Sequence, residues 1–496
     1  MKWPVGAAAS LVALALGALS GTGPGSPRTT CIKVERFHRD PGWEGFRNRL
    51  VAQVCPTTRQ DFGFSRTSLA GAAPGEMGGQ VWRSTTPAHY ADRIAARTLD
   101  DRLRASGSFA LLKSSGSSGV FFGWFNRDYH GFRPANFLGF RLDGEDWGAR
   151  VRVEYTTGTW KAGGVSASGL QVRPDGAKHN WSLSYDPAGA GGNGAIEFAL
   201  DGEPPITGDL LPGHKLDGAK FNRFGMLNVQ IPGGPMTVYF DDLEYDGKEK
   251  DFASDPRWEG SGNRVAFKDC EQDDSQNFGF SDTNHAGGAR GEIGGAFWRT
   301  EPDAPHDGYY ADRIGPLTLE DSLFASGRIA FTRGCADSGM YLGWFNSAAR
   351  GDAPSNFVGI VIEGPSRVGH YFRARYGTAS GAARDPRTGP VIMPDGRPHR
   401  WTFAYDPGGN GGTGAIRATL DGTAVALNLA PDHKAQGAAF DRFGMLTMRR
   451  GGHYMTVYFD DVKYSDGRCA RPPSVGIVER RSIARRRAAQ AATGNG

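Results

Sequence analysis

Glu292, Trp298 and His285 stand together in "HAGGARGEIGGAFWR" (285–299), and their types and spacing suit them to chemistry. Upstream, "LAGAAPGEMGGQVWR" (69–83) repeats the stretch with Glu76 and Trp82 in register, but with Leu69 in place of the histidine. Read as a strand, the second copy puts Glu292, Gly294, Ala296 and Trp298 on one side and Ile293, Gly295, Phe297 and Arg299 on the other. Glu and Trp then lie about 20 Å apart over a floor of small residues, room for a flat ligand. A carboxylate above such a floor accepts charge-assisted hydrogen bonds from sugar hydroxyls, and in a dry site it serves as a general acid or base. His285 lies across a glycine turn from Glu292 and carries an imidazole, the side chain suited to proton transfer at physiological pH. Leu69 cannot, so the first copy is expected to bind more weakly or not to react. Three readings stay open: Glu292 and His285 as a catalytic pair, the strand as a sugar-binding floor, or a Glu that satisfies turn amides while glycines pack strands closely.

Two further motifs offer ligand-facing groups in both copies. In "GWFN", Trp124 with Asn126 and Trp344 with Asn346 share a strand face, giving an apolar plane and a donor–acceptor amide. A Trp packed between two sheets is the alternative. In "YADRI", Tyr310 and Asp312 alternate onto one face, as do Tyr90 and Asp92; an Asp–Arg pair fixing a loop is the alternative. Asp460 and Asp461 end a strand and carry the oxygen ligands that Ca²⁺ takes. No linear calcium loop accompanies them, so the metal ligands stay unassigned and Ca²⁺ is the one cofactor these residues suit.

The elements that must position these groups come in two copies. "DPGWEGFRNR" (40–49) returns as "DPRWEGSGNR" (255–264), "RFGML" occurs at 223–227 and 442–446, and "MTVYFDD" at 236–242 and 455–461. A period near 215–220 residues means tandem domains rather than a solenoid. Short runs rich in Val, Phe, Tyr and Thr, broken by Gly, Pro, Asn and Asp, read as strands; "RTLDDRLRASG" and "LTLEDSLFASG" offer the one short helical possibility. The repeat places domain 1 at 41–247, a linker at 248–255 and domain 2 at 256–465, each with its own core and able to fold alone.

In each copy a Trp-x-x-x-Tyr-Asp strand, a Gly-rich turn and a return strand ending in Asp-Gly ("HRWTFAYDPGGNGGTGAIRATLDG") are followed by a last strand "MTVYFDDVKY". This pattern resembles the laminin-G-like branch of the concanavalin A-like lectin/glucanase superfamily. The resemblance implies an all-β fold, two tandem jelly-roll β-sandwiches, each with a curved sheet that often holds carbohydrate. It also implies neighbouring terminal strands, hence a Cys270–Cys469 bridge; Cys31 and Cys55 hold roughly similar places around the first copy, and Cys335, which replaces Ser115 and has no counterpart, is expected to be the free thiol. The Glu-x-Asp-x-x-Glu strand of the superfamily's retaining glucanases is absent, and of the sets used by fold-related lyases only Arg299, His285 and Tyr310 are present.

The ends and composition bound the setting. Residues 1–20 have the layout of a secretory signal peptide, followed by an N-terminal segment at 21–40. Nothing later is long and apolar enough for a transmembrane anchor. Five cysteines suit an exported chain with disulfides. The net charge of +4 comes from the stretch 466–496, where seven Arg face Asp466 and Glu479; it is expected to be a disordered basic tail. No motif points to nucleic acid. The expectation is a secreted, periplasmic or extracellular protein that binds a polysaccharide or glycan. The alternatives are a glycoside hydrolase or polysaccharide lyase with its site in domain 2, and a structural or adhesive envelope protein. The sequence leaves the oligomeric state open.

Overall fold

The computed structural model describes residues 31–468, apart from 53, 130, 166–169, 273–274, 302–305, 336, 350–353, 365–369 and 387. The expected signal peptide, Cys469 and most of the basic tail lie outside the described residues. Asp466 and Arg468, assigned to that tail, are held: the Asp466 amide donates to the Cys31 carbonyl, and Arg468 bonds Asp466 and Asp312. No helix among the described residues is long and apolar enough to cross a membrane.

The chain is all-β and forms two sandwiches with the same antiparallel strand order. In the first, sheet I runs Ile206–Asp209, Ala195–Leu200, Lys178–Asp186, Leu103–Lys113, Pro235–Tyr245, Glu76–Trp82, Thr57–Ser65, Arg264–Lys268, with Lys248–Lys250 also on Pro235–Tyr245. Sheet II runs Ala162–Val165, Gly148–Thr156, Phe137–Glu145, Gly119–Phe125, Lys220–Asn228, His89–Thr98, Glu259–Ser261. Sheets III and IV repeat these orders in the second sandwich. Sheet III is centred on Glu292–Trp298, Tyr454–Ser465, Leu323–Gly334 and Pro398–Asp406, and sheet IV on Tyr309–Thr318, Ala439–Thr447 and Ser338–Phe345.

Alternation builds the cores. Along Lys178–Asp186, Trp181, Leu183 and Tyr185 point inward while Ser182 and Ser184 face out, and Trp401, Phe403 and Tyr405 repeat this. The return strands pair as the hairpin pattern predicts, with Asp406 opposite Ala415. Phe122 meets Phe240 across the first sandwich at 4.3 Å between ring centroids, and Phe443 meets Tyr464 across the second at 4.1 Å. The stretches read as a helical possibility are strand, turn and strand instead. The Asp321 carboxylate takes the Thr318 amide and closes the turn before a helix can start.

The sheets do not follow the repeat boundaries. The first copy of "DPxWEGxxNR" supplies Glu44–Phe46 to sheet IV and Arg49–Leu50 to sheet III, and Ile32–Glu35 pairs with Tyr454–Ser465. The second copy supplies Glu259–Ser261 and Arg264–Lys268 to the first sandwich. The first sandwich is therefore continuous from 57 to 268, whereas the second is 276–468 closed by 31–50. Boundaries at 41–247 and 256–465, and halves that each fold alone, do not match this pairing.

The motif itself is the closure. Trp258 enters the first core beside Tyr90, and Trp43 enters the second beside Tyr310. Glu259 takes bonds from Arg93, Arg127 and Arg223 (2.8, 2.7 and 2.7 Å), and Glu44 from Tyr309, Arg313 and Arg442. Asn263 donates to the Phe62 carbonyl, and Asn48 to that of Phe278.

Cys55 and Cys270 form a disulfide between the two segments that cross from sandwich to sandwich. The expected Cys270–Cys469 bridge is thus incorrect, because Cys270 follows the closing strand of the first sandwich and meets the opposite crossing. Cys31 is also disulfide-bonded. Cys335 is the free thiol, buried and bonded to the Gln230 carbonyl. Around it the sandwiches dock: Phe121, Phe125 and Leu227 of sheet II cluster with Trp298 and Tyr454 of sheet III, and Trp160 stacks on His370 at 5.1 Å.

Candidate ligand-binding faces

The repeated glycine-rich stretch is a loop wound onto its own carboxylate. Glu292 is fully buried and accepts the Thr283 hydroxyl at 2.5 Å and the His285 and Ala286 amides at 2.9 and 2.7 Å. Glu76, equally buried, accepts the Leu69 and Ala70 amides. This geometry corresponds to the reading in which the Glu satisfies turn amides, and both carboxylates are closed off from the surface. His285 meets Glu292 through its backbone, and its exposed ring lies over Tyr458 at 4.5 Å, so the two do not share a proton.

The strand glycines answer to packing. Gly294 has φ +149°, and a Cβ there would sit 2.1 Å from the Val457 carbonyl oxygen. In the loops, a Cβ on Gly71 or Gly287 would collide with the carboxylate of Asp241 or Asp460. Burial, with the neighbouring Asp242 and Glu76 charges, pushes Asp241 up to about 7. Burial, with Asp461 and Glu292, pushes Asp460 up to about 6. No group of three or more His, Cys, Asp or Glu among the described residues could hold a metal ion.

The other expected ligand residues are dispersed. Trp124 and Trp344 lie wholly inside the sandwiches, where Trp344 donates to the Ser465 carbonyl. Asn126 and Asn346 tie strand ends, donating to the Lys220 and Ala439 carbonyls. Tyr310 is buried and bonds Asp40 from the closing motif, and Asp312 takes Lys33, Tyr464 and Arg468. Trp298 is covered by the first sandwich and donates to the Gly452 carbonyl, while Trp82 is half-buried. Arg299 pairs with Glu363 on sheet IV, so Arg299, His285 and Tyr310 do not converge.

Cavities lie on the outer faces of sheets I and III. One, about 630 Å³, crosses sheet I in the first sandwich and is lined by Arg97, Arg102, Arg104, Ser106, Ser182, Ser184, Glu197, Glu244 and Asp246 among others. Strand register orders these groups. Glu244, Ser106 and Ser182 face one another on successive strands, as do Arg104, Ser184 and Glu197 in the next row. Three hydroxyls thus make a floor, and Arg104 and Glu197 stand about 10 Å apart across it at ordinary strand spacing. Arg102 is held by Asp186 and Arg97 by Asp246.

Sheet III carries Phe324, Ala404, Arg417 and Lys463 at the positions of Arg104, Ser184, Glu197 and Glu244, and its cavity of about 460 Å³ is mainly apolar. Another cavity, about 250 Å³, lies on sheet III beside the chain crossings and includes Ala296 of the expected floor. The sequence reading missed the sheet I groove because Arg102 and Arg104 sat in the stretch read as helical. The alternating serines and Glu197 of the recognised hairpin were the available signal.

No protein-family model matches this chain, and no curated protein matches it. Among solved structures, domains LG4-5 of the mouse laminin alpha1 chain match over 78% of this chain and 87% of theirs, at 13% identity and a TM-score of 0.25. Peanut lectin matches over 38% and 89%, at 14% identity and 0.22. The binding domain of botulinum neurotoxin DC, solved in complex with SialylT, matches over 91% and 92%, at 9% identity and 0.21. The paired antiparallel sheets, in one strand order used twice, are the all-β sandwich architecture expected from the sequence.

Proposed function

We propose that this protein binds carbohydrate outside the cytoplasm, through the outer face of sheet I. The observation that carries this reading is the groove of about 630 Å³ with its floor of Ser106, Ser182 and Ser184. Small hydroxyls leave room for a ring to lie flat and bond its hydroxyls. Arg104 donates and Glu197 and Glu244 accept, the charge-assisted pairing that vicinal sugar hydroxyls take from both sides. The lectin and toxin-domain neighbours are compatible with this reading, and a disulfide at the crossing suits an oxidising compartment. Glu197 and Glu244 sit three strands apart, with Cα atoms roughly 15 Å from each other, beyond the ~5 Å carboxyl separation of a retaining glycosidase. Binding without cleavage is the outcome this spacing favours.

A glycan array on the mature protein tests the reading, with Ser182→Trp to fill the floor and Arg104→Ala and Glu197→Ala to strip the walls. All three side chains are solvent-facing, so folding is expected to survive. Loss of the array signal in all three supports the groove. An array with no signal, or signal unchanged in Ser182→Trp, refutes it.

A further inference from the structure

The outer faces of sheets I and III occupy matching places in the two sandwiches, and their exposed charges are opposite. Glu197 pairs with Ser184 and Glu244 with Ser106 on sheet I. At the same register positions of sheet III, Arg417 pairs with Ala404 and Lys463 with Ser326. All four charged side chains are exposed, and among the described residues none of the four has a hydrogen-bond or ion-pair partner. Apolar surface accompanies the basic face. Ile32, Val34 and Phe324 are 46, 48 and 38% exposed there, and alanines line the cavity of about 460 Å³ beside them. On sheet I, Glu249 and Arg104 stand in place of Val34 and Phe324.

Exposed apolar side chains beside two unpaired cations suit a partner surface that is flat and acidic. The first sandwich of another copy offers one. Glu197 and Glu244 lie roughly 15 Å apart, and the same strand count sets Arg417 from Lys463. Both pairs therefore meet at once when the two sheets are laid face to face. At ordinary strand spacing, that arrangement brings Phe324 over Ser106 and Ser182, whose small side chains leave room for the ring. We infer that this chain associates with itself head to tail. The sheet III face of one copy covers the sheet I groove of the next, with Arg417 on Glu197, Lys463 on Glu244 and Phe324 on the serine floor. Because the two faces differ, the contact propagates into open chains or closes into rings. A neighbouring copy and a sugar would use the same two carboxylates and exclude each other, but the association does not rest on the carbohydrate reading.

The experiment is sedimentation velocity of the full chain, from micromolar to near-millimolar concentration, at low and at high salt. Wild type is expected to form oligomers that grow with concentration and come apart in high salt, which screens exposed charge pairs. One double variant, Arg417→Glu with Lys463→Glu, makes both faces acidic; another, Glu197→Arg with Glu244→Lys, makes both basic. Each is expected to weaken association at least tenfold at an unchanged melting temperature, and Phe324→Ser to weaken it as well. Mixing the two double variants in equal amounts sets opposite charges against each other again and is expected to restore the oligomers, which variants damaged in folding would not do. A wild type that stays monomeric at low salt, association unchanged in both double variants, or a mixture no more associated than its components overturns the inference. The glycan array reads the groove's sugar and sedimentation reads the neighbouring copy, so either proposal can fail alone.

Discussion

Cys55 and Cys270, separated by 215 residues, bring their Cα atoms to 4.6 Å and lock together the two segments that pass between the sandwiches. One crossing leads from the closing strands of the second sandwich into the first, and the other leads back. The bridge therefore pins the point where the chain's two copies exchange partners, and Cys270 lines the cavity of about 250 Å³ on sheet III.

The pairing predicts which fragments fold. Residues 57–268 hold a complete strand set and are expected to unfold cooperatively on their own, followed by circular dichroism and amide exchange. Residues 276–468 lack the closing segment and are expected to stay largely unprotected until a 31–50 peptide is added. Protection of 276–468 without the peptide would refute the closure.

Trp43→Ala should cost about 3–5 kcal/mol, the range for deleting a large core aromatic. The loss is expected in the second sandwich, although Trp43 belongs to the first sequence copy. Trp258→Ala should do the same to the first sandwich. Residue-resolved exchange distinguishes the two, and a Trp43→Ala effect confined to the first sandwich would contradict the strand assignment.

Removing the bridge with Cys55→Ser and Cys270→Ser is expected to lower stability by about 2–5 kcal/mol while leaving both cores formed. Cys335 is buried at the docking surface. It should resist thiol reagents in native buffer and react once the sandwiches separate, as mass spectrometry of alkylated protein would report.

The carboxylates divide by pH. Asp241 and Asp460 have native values raised to about 7 and about 6, chiefly by burial, from an ordinary 3.8. Their contribution is complete below about pH 4 and is lost as pH rises through 6 to 7. Asp241→Asn and Asp460→Asn are therefore expected to raise the melting temperature at pH 8 and flatten its fall between pH 4 and 7. Glu44 and Glu259 run the other way. The Tyr309 hydroxyl, with Arg313 and Arg442, holds Glu44 at about 2. Glu259 is held at about 2 despite its burial by Arg127, Arg93 and Arg223. Their stabilisation is present above about pH 4.5 and disappears as pH falls towards 2. Glu259→Gln should remove that acid-side loss from the first sandwich, at the cost of lower stability at neutral pH.

The alternation of Trp401, Phe403 and Tyr405, the duplicated strand pattern and the core face of Ile293 and Phe297 were all legible in the sequence, because period-2 burial depends on near neighbours. The partner of each "DPxWEGxxNR" copy was not. Glu44 and Glu259 sit in nearly identical words, and each word closes a different sandwich through the same Trp, Glu and Asn contacts. Which one it closes depends on a chain reversal more than 200 residues away. The candidate strand at 292–298 failed for a related reason. Its Glu and glycines are conspicuous because the loop and neighbouring strands demand them, whereas the plain serines at 106, 182 and 184 become a floor only when two strands distant in sequence are laid side by side.

Closure of the last sandwich by the first strands has a consequence for how the chain is made. As it emerges from its N-terminus, residues 31–50 appear long before Tyr454–Ser465 exist to receive them. The vacant slot they meet first belongs to the first sandwich, which accepts the same Trp, Glu and Asn. Residues 255–264, the native occupant of that slot, emerge only after the rest of the first sandwich. Native closure of both sandwiches therefore requires that the early copy be kept out of that slot, or displaced from it, and Cys55–Cys270 joins the two crossings only where that pairing is correct.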